Sequence, residues 1–164
     1  MLKPQLLRAH LTAANPDLQA NPDRLQVFAD KGRLVATGAA SLSHEYRYTL
    51  TVILTDYDGE SAAVMVPLLA WVRVHQPDLV NNADMRDKGI RFEVEFIDQQ
   101  TVDLSIELDL TERVIVRRMP ERPGALEATH IGEPPDPSVN LTAERWALYV
   151  RDDLVAQWNI EPFV

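Results

Sequence analysis

RFEVEFIDQQTVDLSIELDLTERVIVRR, residues 91 to 118, decides the fold. Phe92, Val94 and Phe96 alternate with Arg91, Glu93 and Glu95. After Asp98-Gln99-Gln100, Val102, Leu104, Ile106, Leu108 and Leu110 alternate with Asp103, Ser105, Glu107 and Asp109. A period of two held this long specifies antiparallel strands with one buried face and one strongly acidic, solvated face. The acidic row reads first as ordinary solvated sheet; its alternative is a surface that repels a polyanion.

Upstream, residues 44 to 78 run a strand into an acidic turn and then into an apolar helix. β-branched residues crowd Thr49 to Leu54, and Asp56-Tyr57-Asp58-Gly59 supplies turn chemistry that is expected to end the strand. From Ala62 to Val74 apolar residues occupy every side of a helical wheel, and Pro67 is tolerable only in the first turn. Such a helix is buried or meets another subunit. Pro4 to Ala14 reads as a helix with Leu7, Leu11 and Ala14 on one stripe. Asn15-Pro16-Asp17 and Asn21-Pro22-Asp23 are turn or cap signals. Leu25, Val27 and Ala29 then alternate up to Asp30-Lys31-Gly32, which reads as a hairpin turn into Arg33 to Ala36. Thr37 to Ser43 reads as an irregular or edge segment, and Asn81 to Gly89 as a polar linker.

Residues 120 to 142 hold Pro120, Pro123, Pro134, Pro135 and Pro137 with little apolar content, the composition of a linker or extended arm. Beyond it, Arg145 to Val150 and Leu154 to Trp158 flank Arg151-Asp152-Asp153 as a hairpin. A hairpin is marginal alone, so this one is expected to add to a sheet of its own chain or of a neighbour. Trp71, Trp146, Leu148, Tyr149, Val155 and Trp158 are the candidate residues of an interface with other copies of the chain or with a larger assembly. The division that follows is an α+β core over 1–119, an arm over 120–142 and the hairpin over 143–164, in the same unit or swapped. The fold class is α+β: a mostly antiparallel sheet from 25–56 and 91–118, packed with helices 4–14 and 62–76.

The chain has 164 residues, enough for one domain that buries roughly two thirds of its unfolded surface. It has no cysteine, which excludes disulfides and thiolate metal sites. A net charge of −9 opposes the phosphate neutralisation on which tight nucleic-acid binding depends. The first thirty residues carry no signal-peptide pattern and no apolar run reaches the ~18 residues of a membrane span, so a soluble protein is expected. His10, His44, His75 and His130 are scattered without metal-ligand spacing, no serine sits in a nucleophile elbow, and no glycine-rich phosphate loop occurs. No catalytic residue, metal or cofactor is assigned.

The sharpest chemical motif is Val52 to Gly59, an apolar strand ending in Asp-x-Asp-Gly. It resembles the first motif of haloacid dehalogenase-like phosphatases, in which Asp56 would take a phosphoryl group, Asp58 would act as acid and base, and magnesium would hold the anion. That family opens with this strand and needs a downstream lysine and a further acidic motif. Here about 50 residues precede the strand and neither pattern occurs. Asp-x-Asp-Gly is also a common turn.

Leu2-Lys3-Pro4 opening a helix, Asn21-Pro22-Asp23 before a strand, and Arg47 to Leu50 running to Thr55-Asp56 resemble the tail completion protein R family of P2-like contractile-tailed phages. Val66 to Arg73, Gln76-Pro77-Asp78, Leu110 to Arg113 and the Leu148-Tyr149 to Gln157-Trp158 hairpin follow in the family's order. The Arg151-Asp152-Asp153 turn departs from it by lacking the glycine favoured in tight hairpins. The resemblance implies a structural virion protein, encoded by a phage or prophage, that terminates the tail tube at its head-proximal end and offers a surface for head joining. Its implied partners are further copies of itself in a hexameric ring, the tail tube and sheath, and head completion or connector proteins. DNA would pass through without tight binding, and no membrane is involved. The protein would be assembled in the host cytoplasm. Asp103, Glu107 and Asp109 are the candidate acidic lining of the bore. A soluble assembly chaperone absent from the virion is the other structural alternative.

Overall fold

The computed structural model describes residues 1–134, 136 and 145–159. Helix α1 (Lys3–Ala14) and the short α2 (Pro16–Ala20) lead through a 3-10 turn into strand β1 (Leu25–Ala36) and its partner β2 (His44–Tyr57). Helix α3 (Ala62–His75), short α4 (Asp78–Asn81) and α5 (Ala83–Arg86) follow, then β3 (Ile90–Phe96), β4 (Val102–Arg118), β5 (Leu126–Ile131) and the hairpin β6 (Trp146–Val150) and β7 (Asp153–Trp158). The α+β class with a C-terminal hairpin is therefore the observed one.

The sheet runs β1-β2-β4-β3, every neighbour antiparallel, and β5 joins β4 beyond the end of β3. Leu50, Val52 and Leu54 of β2 and Leu104, Ile106, Leu108 and Leu110 of β4 point to one side and are almost wholly buried. Leu7, Leu11 and Leu18 from α1 and α2 and Leu68, Trp71 and Val72 from α3 close over them. Each leucine removed from water this completely stabilises the fold by roughly 1.5–3 kcal/mol.

Helix α3 is apolar on every side because it is a middle layer. One flank meets the sheet through Val64, Leu68 and Val72, while Ala63, with Ala14 of α1, packs against Ala156 and Trp158 of the hairpin. Val66 and Leu69 stay exposed on its remaining side. Pro67 lies in the second turn of α3, not in the first as expected, and is buried. The carbonyl of Pro67 lies 3.0 Å from His10 Nε2, which ties α3 to α1.

Four local expectations are corrected. Asp30-Lys31-Gly32 is a bulge and not a hairpin turn: both halves of β1 pair with β2, and one extra residue is absorbed where Lys31 takes a φ of 48°. Asp56 likewise does not end its strand; with φ 51° it forms a second bulge and the strand continues to Tyr57. The arm at 120–142 contains β5, because its prolines gather at 120 and 123 and again from 134, leaving 126–131 free to pair with Arg113–Arg118. The linker Asn81 to Gly89 carries the short helix α5, capped by the Asn82 side chain on the amide of Asp84. The remainder of the arm apart from Asp136, that is 135 and 137–142, lies outside the described residues.

Candidate functional site

The side of the sheet away from the helices carries the acidic row. Asp103, Glu107 and Asp109 all project there, as the period-two register requires. Two of the three are partly neutralised. Arg91 donates to both oxygens of Asp109, Nη1 at 2.8 Å and Nη2 at 2.9 Å, and from Nε to Glu107 at 3.2 Å; Lys31 Nζ stands 3.8 Å from Glu107. These bonds to Arg91 hold the Asp109 carboxyl below the usual carboxylate range and raise the guanidinium, against the opposing effect of burial. Asp103 accepts the Asp56 amide at 2.9 Å and so pins the bulge. Glu93 and Glu95 of β3 add exposed carboxylates to the same face.

The hairpin divides its aromatic residues between two environments. Trp158 is 8% exposed and Leu148 and Val155 pack beside it on the chain's own helices. Trp71 is 2% exposed inside the main core, stacked on His75 with ring centroids 4.6 Å apart. Neither tryptophan presents surface in the single chain. Trp146 and Tyr149 remain 42% and 60% exposed, and Tyr149 pairs across the hairpin with exposed Leu154. The hairpin is a two-stranded sheet of its own and does not extend the main sheet. Arg151 and Asp152 both adopt positive φ, 49° and 70°, so a tight two-residue turn forms without glycine.

Asp56 and Asp58 have local structural roles. The Asp56 backbone is spent on the bulge, and Asp58 reaches Arg24 at 3.6 Å from an exposed position. Among the described residues no group of three or more histidines or acids could hold a metal ion.

The most organised polar site was not found from composition. Glu112 is 4% exposed and continues the inward register of Leu108 and Leu110. Its oxygens accept the amides of Leu2 at 2.8 Å and Lys3 at 3.2 Å, and the Tyr48 hydroxyl. Leu2 offers helix α1 no side-chain cap, so a carboxylate from β4 does the work that an Asp or Ser normally does locally. Burial and this bond push the Tyr48 hydroxyl well above its ordinary range. Lys3 Nζ donates to Gln76 Oε1 at 2.7 Å and to Glu133 Oε1 at 3.0 Å. Burial lowers the Lys3 ammonium, and Glu133 partly opposes that. His130 Nδ1 lies 3.2 Å from Glu112 Oε2, close enough for a charge contact but without hydrogen-bond geometry. The cleft lined by Leu2, Lys3, His75, His130 and Glu133 has room for about one water molecule. A charge at an inward position of an otherwise apolar strand was the available signal. The arrangement is a structural one, in which buried polar groups tie the N-terminus to the sheet.

Residues 1–134 match the family model described as P2 phage tail completion protein R (GpR). Tail completion protein R of Escherichia phage P2 is 43% identical over 159 residues, covering 97% of this chain and 99% of that protein. No solved structure matches the chain. The chain belongs to the P2 phage tail completion protein R family, a family of structural phage tail proteins.

Proposed function

We propose that this chain caps the tail tube of a contractile-tailed phage at its head-proximal end, stops further polymerisation and presents the surface that receives the filled head. The observation that carries the reading is end-to-end similarity to a tail completion protein. A tube of stacked rings ends when a component binds the last ring by one face and offers a different face outward, so the cap is expected to share the ring's symmetry as a homo-hexamer. Exposed Trp146, Tyr149 and Leu154 on the hairpin supply an apolar contact for the tube. The sheath and the head completion proteins are the remaining neighbours in this reading, and assembly takes place in the host cytoplasm. On the outward sheet face Asp103, Glu107, Asp109, Glu93 and Glu95 outnumber the adjacent Arg91 and Lys31, and this acidic part lets DNA pass without adhering.

Deleting the gene and imaging the tails tests this. Tails without a terminus of uniform length, rescued by the intact chain, are the expected result, with the chain present at one ring per particle at the head-proximal end. Normal tails joined to heads would overturn the reading. A chain needed for assembly but absent from purified virions would mark a chaperone instead.

A further inference from the structure

The main sheet ends in two free edges of unlike character. β3 pairs with β4 alone and β1 with β2 alone among the described residues. On β4, Leu104 and Ile106 are sealed under the helices. Their partners one strand further out, Val94 and Phe92, face the same way but are 38% and 63% exposed, and Phe96 is 79% exposed. The expected buried face of β3 therefore lies beyond the reach of α1 and α3. The strand has no proline and no register shift to keep another strand off its edge, so its carboxylates decide which strand can pair with it.

We propose that β3 of one copy adds to β1 of the next, so that the sheets of neighbouring copies run on as one wall; this rests on the ring reading above. Charge selects β1 as the occupant. On its polar side β3 carries Glu93 and Glu95, while Arg91 is already held by Asp109 and Glu107. The β1 edge carries Arg33, and Lys31 at the longer 3.8 Å from Glu107, against Asp30, and adds exposed Phe28 and Leu34. Pairing β3 with β3 across a two-fold axis centred on the strand would set Glu93 against Glu93 of the other copy, and like charges directly opposite are destabilising. Topology agrees. Along β1-β2-β4-β3 the direction reverses at each step, so the two edges run antiparallel. A copy rotated about an axis along the strands then offers β1 antiparallel to β3 with helices on the same side. Each copy uses one edge of each kind, the head-to-tail contact that closes rings.

The chain's lack of cysteine allows a clean test. Glu95→Cys would be combined in turn with Gln26→Cys, Phe28→Cys and Arg33→Cys, and oxidised both in purified protein and in completed tails. A ladder of dimer, trimer and higher adducts from at least one double variant, and none from the single variants, is expected. Separately, Glu93→Lys with Glu95→Lys should weaken self-association roughly ten-fold, and Lys31→Glu with Arg33→Glu should restore it. A dimer from Glu95→Cys alone, or no adduct in either preparation, overturns the proposal. Capping activity retained by the Glu93→Lys, Glu95→Lys variant despite lost self-association overturns the edge contact and leaves the capping role standing. A deletion with normal tails removes the capping role itself.

Discussion

Glu112 and Leu2, 110 positions apart, meet at 2.8 Å, where the carboxylate of one caps the helix that begins at the other. The first helix is thus held to the fourth strand by a buried carboxyl group that accepts from two amides and a tyrosine. Removing the carboxylate strands Tyr48 and two amides away from water and leaves Lys3 with less compensating charge. Glu112→Ala should cost about 3 kcal/mol, and Glu112→Gln clearly less, since the amide keeps an acceptor oxygen. Urea unfolding gives both values. A loss under about 1 kcal/mol for the alanine variant would show that water replaces the cap.

Acid should weaken the fold in a defined window. Burial, with Lys3 and His10 nearby, depresses the His75 imidazole to about 4 from its ordinary 6.5. Between these values the unfolded chain binds the proton and the folded chain does not, so stability falls as pH drops from 6.5 toward 4. The contribution is at most about 3 kcal/mol. His75→Gln should flatten that part of the curve of urea midpoint against pH. An unchanged slope would show that His75 is not the group responsible.

The hairpin should separate stability from assembly. Trp158→Ala opens a void against Ala14 and Ala63 and is expected to lower stability by about 3 kcal/mol. Tyr149→Ser, at a 60% exposed site, should change stability by less than about 0.5 kcal/mol yet reduce tail completion. Thermal unfolding and complementation of a tail-completion defect measure the two. Full complementation by Tyr149→Ser would remove the hairpin's outer face from the interface.

Asp56→Asn and Asp58→Asn should both support normal tail completion, within about two-fold. Asn tolerates the left-handed backbone that Asp56 adopts, and an exposed ion pair such as Asp58 with Arg24 contributes little. Loss of infectious particles with a normally folded variant would return a chemical role to the Asp-x-Asp motif.

The sequence alone determined whatever rests on neighbours a few residues apart. Strict alternation from Val102 to Leu110 set which side of β4 is buried, because a strand turns each successive side chain to the opposite face whatever its partners. Asn15 marked the start of α2 because its side chain accepts from amides two and three residues on. Turn and strand signals placed the C-terminal hairpin.

Tertiary structure decided everything that depends on what lies across a strand or under a helix. Alternation in β3 matched that in β4, yet Phe92 and Phe96 stayed exposed because the helical layer ends one strand short. Asp30-Lys31-Gly32 had a turn's composition, but one extra residue opposite an unbroken β2 makes it a bulge. Glu112 has its role only because the helix N-terminus, Tyr48 and the Lys3 network close around it. Partners about 64 and 110 positions away leave no trace in local periodicity.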